Sequence, residues 1–258
     1  MAGPPLPPND RTMTALVDLS IVIPAYNEER RLPRTLERVH EYVCGIHSAC
    51  EVIVVDDGSS DGTAEVVSKM SAEMPELRLV SNGQNRGKGY SVRHGMLEAR
   101  GRVALFTDAD LSAPIEEAAK LLEALEAADV AIGSRSMDRT LLAVHQSRMR
   151  LLAGILFNWM VRLFTGVRFK DTQCGFKAFA LPETRIIFEQ QRIEDFGFDP
   201  EILFLAQRHG LRATEVPVRW AHDAATKVHV VRDSARMFVD LFRIRWNALA
   251  GRYPRQAK

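Results

Sequence analysis

Asp108-Ala109-Asp110 follows directly on the apolar run Val103-Ala104-Leu105-Phe106. Two carboxylates one residue apart, leaving a buried strand for a loop, can share one divalent cation and through it a diphosphate. Oxygen donors of this kind suit Mg2+ or Mn2+, whereas zinc would want His or Cys. Asp110 is the better direct ligand, with Asp108 reaching the metal through water or a ribose. An Asp-x-Asp alone is common in solvated turns, so its weight comes from its place after the apolar run. A second cluster, Asp56-Asp57-Gly58-Ser59-Ser60-Asp61-Gly62-Thr63, reads in part as an Asx-turn leading into a helix cap. Asp56 abuts a strand, where its carboxylate could accept from a base edge or a ribose. A third stretch, Asn82 to Gly89, resembles a phosphate-binding P-loop but fails its spacing. Gly83 and Gly87 are separated by three residues rather than four, and Gly89 stands where Ser or Thr would meet magnesium. Lys88 and the flanking glycines can still bring charge and backbone amides to a substrate.

These clusters need a scaffold that brings them together, and the hydrophobic pattern supplies one. Leu19–Ile23, Glu51–Val55, Leu77–Val80, Val103–Thr107 and Val130–Ile132 are short apolar runs of the kind that form strands covered on both faces. Between them, helical periodicity is expected over 26–43 with Asn27 as cap, 63–70, 89–99 and 115–128. The alternation implies an α/β fold, a Rossmann-like, mostly parallel sheet flanked by helices. In such sheets ligands bind beyond the carboxyl ends of the strands, where Pro24–Glu28, Asp56–Gly58 and Asp108–Asp110 all fall. Further on, a helix is expected over 200–209 and an edge strand over Thr214–Val218, because Pro217 cannot donate to a ladder. An amphipathic, Arg-rich helix is expected over 234–249. Residues 1–18 read as a disordered tail, and 19–135, with the strand-end clusters, and 136–258 as the two halves of one continuous domain.

The chain has 258 residues, 46% of them hydrophobic, enough for a sizeable core. Its formal net charge is +1, so no global field argues for nucleic acid. Residues 1–142 hold 15 basic and 22 acidic residues and residues 143–258 hold 19 and 11, so the halves carry −7 and +8. The acidic half suits a cation, and the basic half an anionic substrate or anionic lipid. Cys44, Cys50 and Cys174 have no metal-binding spacing, and their odd number argues against a disulfide framework in favour of a reducing cytosol. The first ten residues show neither the basic nor the apolar segment of a secretory signal. No run of about eighteen uncharged apolar residues occurs, so a spanning helix is not expected. The apolar stretch 151–164 carries Asn158, Trp159 and Arg162 and has two readings, a core helix or a helix lying in a membrane interface.

Ile23-Pro24-Ala25-Tyr26-Asn27-Glu28, Val55 to Thr63, Asn85-Arg86-Gly87-Lys88-Gly89, Asp108 to Ser112 and Gly133-Ser134-Arg135 stand in the order seen in family 2 inverting glycosyltransferases of the GT-A fold, which the chain resembles over about residues 19–135. Asp171-Thr172-Gln173-Cys174-Gly175-Phe176-Lys177 and Trp220-Ala221-His222 with Lys227 are most similar to the dolichyl-phosphate β-glucosyltransferases of that family. The loop Ala224-Ala225-Thr226-Lys227 departs from the Gly-Ser-Lys common there, and the C-terminal transmembrane pair of some relatives is missing.

The resemblance implies a metal-dependent hexosyltransferase that moves glucose from UDP-glucose to a dolichyl or polyprenyl phosphate with a β linkage. Donor contacts would come from Pro24, Ala25, Tyr26, Glu28, Asp56, Asp57, Ser59, Lys88, Asp108 and Ala109, and the metal, Mg2+ or Mn2+, from Asp110 with Asp108. Asp108, Asp110 and Arg135 would be catalytic. Arg135, Arg148, Lys177, Lys227 and Arg232 would meet the acceptor phosphate, which is already an anion and requires cations rather than a strong base. Phe196 to Glu201 could place a carboxylate near the sugar, with helix capping by Asp199 as its equal rival. The protein would sit peripherally on the cytosolic face of a membrane, docking through the Trp159 helix and the helix bearing Phe238, Leu241, Phe242 and Trp246. Three other readings stay open at this point: mannosyl transfer from GDP-mannose, a soluble acceptor, and a nucleotide-sugar-binding scaffold without catalysis.

Overall fold

The computed structural model describes residues 17–46, 48–137, 158–221 and 230–254. Seven strands form one sheet in the order β3-β2-β1-β4-β6-β5-β7. They are β1 (Leu19–Ala25), β2 (Cys50–Asp56), β3 (Leu77–Ser81), β4 (Val103–Thr107), β5 (Val130–Ser134), β6 (Phe176–Ala180) and β7 (Ala213–Pro217). β1, β2, β3 and β4 pair in parallel, as do β5 and β7; β6 runs antiparallel between β4 and β5. β1 lies between β2 and β4, which is why Ile21, Val22 and Ile23 are all fully buried and why its sequence does not alternate.

The helices are α1 (Leu32–Gly45), α2 (Thr63–Met70), α3 (Lys88–Glu98), α4 (Ala118–Ala124), α5 (helical over 158–165), α6 (Arg185–Gln190), α7 (Phe198–Arg208) and α8 (Val230–Leu249). Successive strand residues point to opposite faces, so the sheet serves two cores. On one face Val22, Ile53, Val55 and Phe106 meet Val92 and Met96 of α3, Phe188 of α6, Ile202 of α7 and Leu241 and Ile244 of α8. On the other, Ile21, Ile23, Val54 and Leu105 meet Leu32, Leu36 and Val39 of α1, Val67 of α2 and Leu121 of α4. Each such side chain contributes roughly 1.5–3 kcal/mol by leaving water.

The expected parallel sheet is present, with three revisions. The first helix starts at Leu32 rather than near Tyr26, because Asn27 adopts φ 54° and residues 27–29 are tied to the 59–63 turn instead of capping a helix. The helix expected over 115–128 is a 3-10 turn, Ile115–Glu117, followed by the short α4. β6 was not anticipated, since Lys177 interrupts its apolar pattern. The edge placement of β7 agrees with its proline, Pro217 lying opposite Ser134 in the outermost pairing. The sequence reading of the tail lies almost wholly outside the described residues, as does the first half of the 151–164 stretch. No described helix is long and apolar enough to cross a membrane.

Candidate active site

The ends of β1, β2 and β4 carry the three motifs to one edge of the sheet: Ala25 is in register with Asp56, and Val22 with Phe106, two residues before Asp108. The Asp108 loop is held from two sides. Thr35 of α1 donates its buried hydroxyl to the Ala109 carbonyl at 2.5 Å, and the Ala221 amide donates to the Ser112 carbonyl at 2.8 Å. Leu111 takes φ 45°, closing a turn in which its amide donates to the Asp108 carbonyl. Asp110 Oδ1 accepts the Ser112 amide at 2.9 Å, which fixes the carboxylate and leaves its other oxygen outside that turn.

Lys88, the first residue of α3, places Nζ 2.6 Å from Asp108 Oδ1. Burial works against its charge, but Asp108, Asp199 and Asp110 outweigh it and hold the ammonium above its ordinary pKa. The loop ahead of Lys88 is organised by Asp57, whose carboxylate accepts Asn82 Nδ2 at 2.7 Å and the amides of Arg86 and Gly87 at 3.0 and 2.9 Å. Asp57 is thus a buried support for the loop, with its oxygens committed there, rather than the donor contact the sequence suggested. Asp56, also buried, accepts the Ser59 amide at 3.1 Å through Oδ1. Ser59 Oγ in turn accepts the Asn27 amide at 2.9 Å, so the Tyr26–Glu28 and Asp56–Ser59 segments form one wall. Tyr26 keeps 42% of its surface exposed at the top of that wall, as a residue that stacks on a ligand would.

Beneath the Asp108 loop lies a buried band of charge. Lys177 of β6 is fully buried, with Nζ donating to the Cys174 carbonyl at 2.6 Å and to Asp199. Burial pushes the Asp199 carboxyl up, and Lys177 and Lys88 oppose this. The N-cap position of α7 is Gly197, and Asp199 lies within the first turn, so the reading of Asp199 as the cap residue is set aside. Lys177 must also be moved from the expected acceptor contacts: without exposed surface, it neutralises Asp199 inside the protein. Arg135, one residue past β5, is held by Asp171 through Nε at 2.6 Å, Nη2 at 2.8 Å and its own amide at 3.0 Å, and lies 5.4 Å from the Trp220 ring. Burial opposes its charge, yet Asp171 raises its pKa still further, and Arg135 in turn holds the Asp171 carboxyl low against burial. Burial pushes the Cys174 thiol up to about 12, leaving it inert.

Gly175 explains how Asp108 fits over this band. A Cβ there would lie 2.1 Å from Asp108 Oδ2, so only glycine lets the carboxylate rest on the backbone. Asp171 and Gly175 have no role legible from their motif, and Thr35 is hidden because its partner lies 74 residues away; Asn82, first residue of the lysine loop, bonds Asp57 instead of a phosphate. Arg148 and Lys227 lie outside the described residues. Arg232 falls in α8, but its side chain is likewise outside what is described.

The described residues contain no group of three metal-ligating side chains. The donor set nevertheless fits a magnesium- or manganese-type ion completed by a diphosphate: Asp108 and Asp110 are half-buried hard oxygen ligands on a fixed loop, with a neighbouring lysine for the phosphates.

The Tyr26–Ser59 wall, the Asp108/Asp110 pair and Lys88 thus stand together at one edge of the sheet, as a transferase site of the GT-A kind would require. Residues 20–180 match the Glycosyl transferase family 2 model, and the chain belongs to that family. It is 36% identical over 247 residues to dolichyl-phosphate beta-glucosyltransferase of Dictyostelium discoideum, covering 90% of this chain and 75% of that protein. The Saccharomyces cerevisiae enzyme of the same name is also 36% identical, over 91% of this chain and 76% of its own length. Among solved structures, glucosyl-3-phosphoglycerate synthase from Mycobacterium tuberculosis, in complex with Mn2+, UDP and glucosyl-3-phosphoglycerate, shares the fold with a TM-score of 0.59 at 18% identity, covering 94% of this chain and 82% of that one.

Proposed function

We propose that this protein transfers glucose from UDP-glucose to dolichyl phosphate or a related polyprenyl phosphate, giving a β-linked lipid-phosphate sugar. The observation that carries this reading is the fixed Asp108–Asp110 loop with Lys88 on Asp108, combined with over 35% identity to glucosyltransferases of that acceptor class across nine-tenths of the chain. Tyr26, Glu28 and Asp56 form the wall for the nucleoside and ribose, and Asp110 with Asp108 would hold Mg2+ or Mn2+. When bound, the ion would supply positive charge that stabilises the departing nucleoside diphosphate.

The protein's own groups account for the remainder. Lys88 stands at Asp108 as a second cation for the donor phosphates. An acceptor phosphate oxygen attacks the anomeric carbon from the face opposite the diphosphate, and the new C–O bond forms as the bond to UDP breaks. Arg135 suits the acceptor because its pairing with Asp171 uses Nε and Nη2, fixing the fork while leaving Nη1 outside that pair. Arg148, Lys227 and Arg232 complete the acceptor side of the proposal.

Exposed apolar residues on α5 and α8 support a lipid acceptor. α5 and α8 lie side by side, with the Phe164 and Phe242 rings 4.5 Å apart. Val161 is fully buried beneath them, while Trp159, Leu163, Phe242, Trp246 and Leu249 are exposed on the outer side. The Trp159 helix is therefore core on one face and open on the other, an arrangement suited to the interface of the cytosolic leaflet.

A screen of radiolabelled UDP-glucose, GDP-mannose and UDP-N-acetylglucosamine against a polyprenyl phosphate tests the reading. A lipid-linked product from UDP-glucose is expected. Product from GDP-mannose alone would sink the glucose assignment.

A further inference from the structure

The segment 191–195, between α6 and α7, carries no donor contact, yet it is packed against the lysine loop at every turn. The Tyr90 amide donates to the Glu194 carbonyl at 3.0 Å, and Gln191 Nε2 donates to the Gly89 carbonyl at 2.8 Å. Arg86 reaches the Glu194 carboxylate at 2.9 Å. The approach is so close that a Cβ on Gly89 would stand 2.7 Å from the Ile193 carbonyl and 2.7 Å from Phe198 Cβ; one on Gly87 would stand 2.6 Å from the Glu194 carbonyl. The segment is a strap across the start of α3, and α3 begins with Lys88.

A buried carboxylate holds the strap from behind. Glu201 of α7 is fully buried and accepts the Arg192 amide at 3.0 Å and the Ile193 amide at 2.8 Å. Its Oε1 also accepts the Tyr253 hydroxyl at 2.5 Å. Tyr253, fully buried beyond the end of α8, is itself seated by Asn247 Nδ2 on its hydroxyl at 3.2 Å and by Arg208 Nε on its carbonyl at 2.9 Å. Two further bonds join the same ends of the chain: Arg192 Nε to the Arg252 carbonyl at 3.3 Å and Gln190 Nε2 to the Pro254 carbonyl at 2.8 Å. A carboxylate without surface that collects two backbone donors and a phenol from two separate segments is costly to bury. It is placed where it fixes the strap rather than where it could touch a substrate.

We propose that Glu201 and Tyr253 are positioning residues for the donor loop, clamping the 191–195 strap onto Gly87-Lys88-Gly89 and so holding Lys88 at Asp108. This rests on the reading of Lys88 as a donor-phosphate contact. It adds that the C-terminal end of α8 and the residues after it are part of the donor site's support.

The test compares Glu201→Leu, Glu201→Gln and Tyr253→Phe with the wild-type chain in donor kinetics and in amide hydrogen exchange. Leu removes every acceptor and should raise the donor KM about tenfold with kcat changed less than about twofold. Gln retains one carbonyl acceptor and should recover most of the affinity, and Tyr253→Phe should cost about threefold. Exchange of the peptide spanning 85–95 should accelerate in the Leu and Phe variants while the β2 peptide stays as in wild type. Exchange that rises equally in both peptides would mean a general structural role and overturn the proposal, as would wild-type exchange and KM in the Phe variant if the Leu variant fails to fold. A wild-type chain that does not bind UDP would overturn the transferase reading alone, because local exchange still reports on the clamp.

Discussion

Asp110 is held by one backbone amide and flanked by a lysine-bound partner, so an Asp110→Asn variant should change charge without moving the loop. Turnover is expected to fall at least about a hundredfold, the scale seen when electrostatic stabilisation of a transition state is removed. Near-normal activity at saturating Mg2+ or Mn2+ would count against Asp110 as the ligand. Glu201 supports a different prediction. Burial raises its carboxyl from 4.5 to about 7, with Asp240 adding to the rise while Tyr253 and the Ile193 and Arg192 amides oppose it. The folded protein therefore keeps a proton that the unfolded chain has lost between those pH values. The stability this confers is full below about pH 4.5 and is lost as the pH rises through 7. Melts from pH 4.5 to 8 should show the wild type losing up to about 3 kcal/mol relative to Glu201→Gln. Parallel curves would mean that Glu201 is ionised throughout.

At the level of elements, the crossing of β4 and the loop entering β6 depends on Gly175. A Gly175→Ala variant should displace the Asp108 carboxylate, lowering kcat at least about tenfold with only a small shift in melting temperature; a wild-type rate would show that Asp108 does not need its observed position. The runs that became β1 to β5 were legible because each is predominantly apolar, with Ser20, Glu51 and Arg78 as interruptions, and ends at a polar turn. Likewise Asp108-Ala109-Asp110 was legible because its neighbours on both sides are local in sequence. β6 was not, since Lys177 reads as a surface residue until Asp199, 22 residues later, is found beside it. The same limit hid the true work of Asp57. Its partners Asn82, Arg86 and Gly87 lie 25 to 30 residues away, and no spacing rule connects them. Helix 1 was misjudged at its start because Asn27, a common cap, is used to bond the Ser60 amide instead.

For the whole molecule, α5 and α8 each expose a tryptophan, and replacing Trp159 and Trp246 together with Glu should abolish flotation with anionic liposomes. UDP affinity of the single Trp159→Glu variant should stay within about twofold, since Trp159 belongs neither to the donor wall nor to the strap. Undiminished flotation would place the lipid-facing surface elsewhere. The reversed direction of β6 has an outcome of another kind. Because β5 ends and β6 begins at the same edge of the sheet, Ser134 and Phe176 bring the segments after and before them side by side. Arg135, Asp171 and Gly175 therefore meet where the two strands meet, so a change at this one junction reaches both the arginine clamp and the Asp108 carboxylate above it.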